Sequence, residues 1–219
     1  MPNDLSARLI VMDTGPLITL AVADSLDYLL YPGVPVYVPD AVLYEATRDS
    51  ADLGAAEILA WVQLHSEQVL TISTETFFNY VQSREANPGR REKDLGERSA
   101  LEAIHDGMHL AQDERAILIT EDDRVLRRVL VNEAELTARM IPITTRDFLE
   151  GMEEAHRINS AEEVYRRAED AGRLSSQRAA LADQHDEPPW SNCCAALPAR
   201  KIWIGSDKHA DRLCPRLNR

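Results

Sequence analysis

Short apolar runs alternate with helix-like segments from Arg8 to Ala155, and this alternation restricts the chain to a parallel sheet covered by helices. The apolar runs are RLIVM at residues 8–12, VPVYVPD at 34–40, VLTIST at 69–74, AILITED at 116–122 and MIPITT at 140–145. Each is short, rich in β-branched residues or bounded by turn signals, so each reads as a strand. Pro16 fits the first turn of a helix after the first strand. Leu17, Leu20, Ala21, Leu26, Leu29 and Leu30 follow at helix-like spacing. Asp40 is a plausible N-cap for the helix AVLYEATRD. The segment from Ser50 to Ser66 is strongly helical, with Leu53, Ile58, Trp61, Val62 and Leu64 mostly on one face. Further helices are expected over Glu75–Ser83, from Leu95 onward, over DRVLRRVLVNEA and over RDFLEGMEEA. The basic, turn-rich run REANPGRREK, at 84–93, reads as a mobile loop.

Two of these strands end on acids, Asp13 and Asp122. Ligands of open parallel sheets bind at the carboxyl ends of the strands. Glu45 and Glu97 lie in helices entered from that same edge. Each acid also has an ordinary structural reading. Asp13 caps a helix, Glu45 is a solvated surface acid, Glu97 opposes a helix dipole, and Asp122 or Asp123 caps the helix that follows. Taken together, four acids on one edge repel one another unless a cation neutralises them. Oxygen donors without His or Cys select hard ions, Mg²⁺ or Mn²⁺ rather than Zn²⁺.

In order and spacing, VMDTGPLITLA, VPDAVLYEA, LGERSALEAI and LITEDDRVL resemble the acid motifs of PIN-domain ribonucleases over residues 8–150. The resemblance implies an α/β fold, a PIN-like three-layer sandwich with a central parallel sheet. It further implies a metal-dependent ribonuclease site using Mg²⁺ or Mn²⁺, with Asp13, Glu45, Glu97 and Asp122 in the four acid positions. Asp13, Glu97 and Asp122 would ligate the metal, and Glu45 would complete the shell or orient the attacking water. Asp94 is an alternative third acid and Asp123 an alternative fourth. Thr14 and Thr120 look like the hydroxyl residues that often accompany these acids. Many bacterial relatives are VapC-type toxins, so the resemblance also implies a small antitoxin partner and a homodimer. The other reading is a PIN-like module that binds RNA or protein without cutting it. A phosphatase is less well supported, because neither a DxDxT motif nor a GxxxxGK[ST] loop occurs.

The formal net charge is −13, which argues against a generally basic nucleic-acid binder. RNA phosphates would need local cations, and Arg90, Arg91, Arg98 and Arg124 flank the third and fourth acid motifs. No apolar run is long enough to cross a bilayer, and MPNDLSARL lacks the apolar core of a secretory signal. Cys193, Cys194 and Cys214 all fall near the end, and a cysteine-free main body suits a cytoplasmic location. Adjacent cysteines do not match zinc-ligand spacing, so plain thiols are expected there. The expected organisation is a nuclease-like domain over 1–155, a helical extension over 156–185 and a poorly ordered tail over 186–219. In the extension, Ala161, Val164, Tyr165 and Ala168 form one apolar stripe.

Overall fold

The computed structural model describes residues 5–89, 92–106, 110, 114–121, 140–173 and 202–204. The helix expected over DRVLRRVLVNEA lies outside these residues, as do Cys193, Cys194 and Cys214. The helical extension beyond residue 173 also lies outside them, and the helix Glu75–Ala86 runs into the first three residues of the run expected as a loop. The other expected strands and helices form, and their connectivity decides where the acids meet.

Strand β1, Leu5–Met12, is the centre of the sheet. Its neighbours are β2, Val36–Pro39, on one side and β4, Glu114–Ile119, on the other. The edges are β3, Val69–Ile72, beside β2 and β5, Met140–Ile143, beside β4. The order β3-β2-β1-β4-β5 is parallel at every pairing. A further short strand, β6, Ile202–Ile204, pairs in parallel with Leu5–Ala7; the rest of the tail lies outside the described residues.

The sheet has helices on both faces, so its strands are buried on both sides. Ile10 and Met12 enter one core with Ile117 and Ile119, while Val11 enters the opposite core with Ala116 and Leu118. This is the period-two alternation of a pleated strand read on two apolar faces. Helix α1, Thr14–Val22, α6, Thr145–Glu154, and α7, Ala161–Asp170, cover the first face. Helix α5, Leu95–Asp106, covers the second with Ala100, Ala103 and Ile104. Helices α2, Asp40–Thr47, and α3, Ala55–Leu64, add Val42, Ala46, Ile58 and Trp61 to the first core. Helix α4, Glu75–Ala86, packs against α5. The result is the expected three-layer α/β sandwich.

Three details differ from the sequence reading or extend it. The run expected after Pro16 is divided: α1 stops at Val22, Asp24 takes a left-handed φ of 51°, and Leu26–Leu30 form a 3-10 helix. Leu26 and Leu29 still reach the core, which is why their spacing looked helical. In α3, Ile58 and Trp61 are buried but Leu64 is 77% exposed and Leu53, ahead of the helix, is 43% exposed. Leu64 sits about 120° around the helix from Ile58, because each residue turns about 100°. The stripe Ala161, Val164, Tyr165 and Ala168 on α7 is buried in the first core against α1 and α6. Among the described residues, no helix is long and apolar enough to cross a membrane.

Helix α6 starts with a capping box, in which Thr144 and Asp147 satisfy each other's backbone amides. It thereby aims Phe148, fully buried, into the first core. Truncation by Phe148→Ala is expected to cost about 3–5 kcal/mol of stability, measured as a lowered urea midpoint with an unchanged slope.

Candidate functional site

The pairing of β1 with β4 places Met12 opposite Ile119, and one further ladder bond runs from the Asp13 N–H to the Ile119 carbonyl at 3.1 Å. Asp13 and Thr120 therefore leave the sheet side by side. Thr120 is fully buried, and its hydroxyl donates to Asp13 Oδ2 at 2.7 Å. Asp13 Oδ1 accepts the Thr14 N–H at 2.7 Å. The structural reading of Asp13 as the α1 N-cap is thus correct, yet its second oxygen is turned across the sheet.

Thr14 extends the arrangement to α2. Its hydroxyl donates to Glu45 Oε2 at 3.1 Å, and the Gly96 N–H also donates to the Glu45 carboxylate. Burial pushes the Glu45 carboxyl above its ordinary range, the Thr14 and Gly96 bonds offset this in part, and the Asp13 charge adds to the rise. Glu45 is therefore not the solvated surface acid of the simpler reading. Two carboxylates are thus joined through Thr14 at the carboxyl edge of the sheet, and both offer oxygen atoms as ligands. That chemistry fits a hard divalent cation, which would remove the cost of keeping Glu45 ionised.

Gly96 lies in the LGERSALEAI motif without a role of its own there, and the packing supplies one. A Cβ there would stand 2.6 Å from Glu45 Oε2, 3.0 Å from Thr14 Oγ1 and 3.3 Å from Val42 Cγ2. Glycine lets the start of α5 close onto the Glu45 carboxylate. Glu97 follows in the first turn of α5 and is half-buried. Asp94 precedes the helix, exposed and with a left-handed φ of 56°, and its carbonyl accepts the Arg98 N–H. Arg98 is exposed and ion-paired with Glu92. Asp122, Asp123, Arg90, Arg91 and Arg124 lie outside the described residues. Among the described residues, no three acidic, His or Cys side chains are grouped so that they could hold a metal ion by themselves.

Two further acids do structural work that the motifs did not reveal. Asp40 Oδ1 accepts the Ala41 N–H at 2.8 Å, the Thr74 hydroxyl at 2.7 Å and the Ser99 hydroxyl at 3.3 Å, while Oδ2 accepts the Thr74 N–H at 2.9 Å. Asp40 is the first residue of α2 and Pro39 is its N-cap, so the expected cap role is not the one found; its carboxylate instead joins the starts of α2 and α4 to α5. Glu121, between Thr120 and Asp122, accepts the hydroxyls of Thr19 at 2.9 Å and Thr145 at 3.0 Å on Oε1. The TED run drew attention to its aspartate, and only the returning α6 identifies the role of its glutamate.

Gly96→Ala is expected to destabilise the protein by about 1–3 kcal/mol through crowding at Glu45. In a Glu45→Ala background, where only the Thr14 and Val42 contacts remain and alanine favours helix, the same change is expected to cost clearly less. A double-mutant cycle by urea denaturation measures this coupling.

The model of the DUF3368 family, a PIN domain, matches residues 9–138. That span runs from β1 to the residues just before β5 and includes Asp13, Glu45, Glu97 and Asp122. No curated protein matches the chain significantly.

Proposed function

Since the chain belongs to the PIN-domain family, a nuclease-type fold, we propose that it is a Mg²⁺- or Mn²⁺-dependent endoribonuclease that hydrolyses RNA phosphodiester bonds. The observation that carries this reading is the Thr14 bridge between Asp13 and Glu45 at the carboxyl end of β1. PIN domains typically use divalent metals, and the all-oxygen donor chemistry here is of the matching kind.

In this reading Asp13, Glu97 and Asp122 hold the ion, with Asp94 and Asp123 as the neighbouring alternatives. When bound, such an ion lowers the pKa of a water and offsets charge on the phosphate. Asp13 is kept in one orientation by Thr14 and Thr120, so its oxygens need little reorganisation. Glu45, held by the Thr14 hydroxyl, would complete the ion's shell or orient the attacking water. Arg90, Arg91 and Arg124 steer phosphates toward an otherwise acidic chain, and Arg98 joins them by exchanging its Glu92 partner. A toxin role with a small antitoxin follows from the VapC resemblance, and a short open reading frame overlapping the upstream end of the gene would support it.

The test is Asp13→Asn, assayed on a model RNA with Mg²⁺ or Mn²⁺. Cleavage is expected to fall by about 100-fold or more. In parallel, added Mn²⁺ is expected to raise the melting temperature of the wild type and to leave the variant nearly unshifted. Undiminished cleavage by the variant would overturn the assignment. RNA binding by the wild type without any metal-dependent cleavage would favour the binding-module reading instead.

A further inference from the structure

Glu121 and Arg173 form a clamp beside the acids to which nothing above assigns a role in the chemistry. Arg173 lies beyond α7, outside the span matched by the family model. Gly172 takes a left-handed φ of 93° after the helix, and the Arg173 N–H returns to the Ala168 carbonyl at 2.9 Å. This glycine-dependent helix ending turns the chain back toward α1. The Arg173 guanidinium then makes three contacts. Nη2 donates to the Gly15 carbonyl at 3.3 Å, Nε donates to Thr19 Oγ1 at 3.3 Å, and Nη2 lies 3.5 Å from Glu121 Oε2. Glu121 in turn accepts from Thr19 and Thr145. The pair is mostly shielded, with side-chain exposures of 28% and 16%.

The placement of these contacts matters more than their number. Asp13 is oriented by one donor from each of two segments, Thr14 at the start of α1 and Thr120 at the end of β4. Gly15 is the residue after Thr14, and Glu121 is the residue after Thr120. The ion pair joins the same two segments one residue further out. Attachment of α7 does not need it, because the apolar stripe of that helix is already buried against α1 and α6.

We propose that Arg173 and Glu121 are positioning residues of the acidic site, fixing the start of α1 against the end of β4 so that Asp13 presents its oxygens to a divalent cation; this rests on the metal-dependent reading above. Arginine suits the task because its planar fork reaches a carbonyl, a hydroxyl and a carboxylate together, which a lysine ammonium on a single stem does not.

A test must keep charge constant, since removing a lone cation near the site would by itself favour cation binding. Arg173→Lys and the pair Glu121→Gln/Arg173→Gln both meet this condition, and both avoid leaving a buried charge without a partner. In the full-length chain, each is expected to weaken Mn²⁺ binding by about tenfold in titration calorimetry and to lower kcat comparably, with KM for RNA unchanged. If both variants keep wild-type Mn²⁺ affinity and kcat and lose only melting temperature, the clamp is structural and the proposal is overturned. A rise in KM alone also overturns it. A wild-type chain that binds no Mn²⁺ would overturn the metal reading itself, and this proposal with it, a result distinct from either of the others.

Discussion

The arrangement depends on one carboxylate shared between two segments that are distant in sequence. Asp13 accepts from the first residue of the helix that follows it and from a buried threonine just past the end of the neighbouring strand. The chain itself supplies the first donor, and the parallel register of β1 and β4 delivers the second, so sheet pairing and site geometry are one constraint. Everything else at this edge is placed relative to that junction. Glu45 hangs from the same Thr14, Gly96 closes α5 onto Glu45, and Glu121 continues from Thr120 toward α6. A shift of β4 relative to β1 would disturb the Thr120 bond to Asp13 and the Glu121 contacts together, because a slip by one residue turns every side chain to the opposite face.

Much of this was legible because it rests on local rules. The strands and most helices follow from hydrophobic period and turn residues, and the Gly-Pro step after Asp13 marks where β1 gives way to α1. What escaped depends on long-range geometry. Gly96 carries no signal in its own segment; its meaning appears only when α5 meets α2. Glu121 looks like a spacer until Thr19 and Thr145 are brought to it from opposite directions. Asp40 reads as a cap from its neighbours alone, but two of its donors come from Thr74, the N-cap of α4, and a third from Ser99 in α5. Leu64 is apolar, but its angular position on α3 sends it to solvent.

The segments after the family match are part of the same body. Phe148, Leu149 and Met152 of α6 and Val164 and Tyr165 of α7 share a core with Ile10, Met12 and Leu17. Tyr165 is buried deeply enough that its phenol is held well above the ordinary tyrosine range, chiefly through loss of water and secondly through the Glu121 charge. The Arg146 guanidinium lies over its ring at 4.7 Å and partly offsets that effect. The core thus draws together β1 and helices more than 130 residues later in the sequence (145 minus 12). Stability lost in α6 or α7 is therefore felt at β1, where the acids begin.

The strand order has a consequence during synthesis. The middle strand of the sheet is the first to leave the ribosome, and its β4 neighbour ends at Ile119, 107 residues after Met12 (119 minus 12). At about 5–20 residues per second, translation leaves one side of β1 unpaired for roughly 5–20 s. Throughout that interval Ile10, Val11 and Met12, which the finished fold shields completely, present an open hydrogen-bonding edge. The nascent chain thus passes through a sticky adolescence, when a chaperone is most useful and a second nascent copy most hazardous.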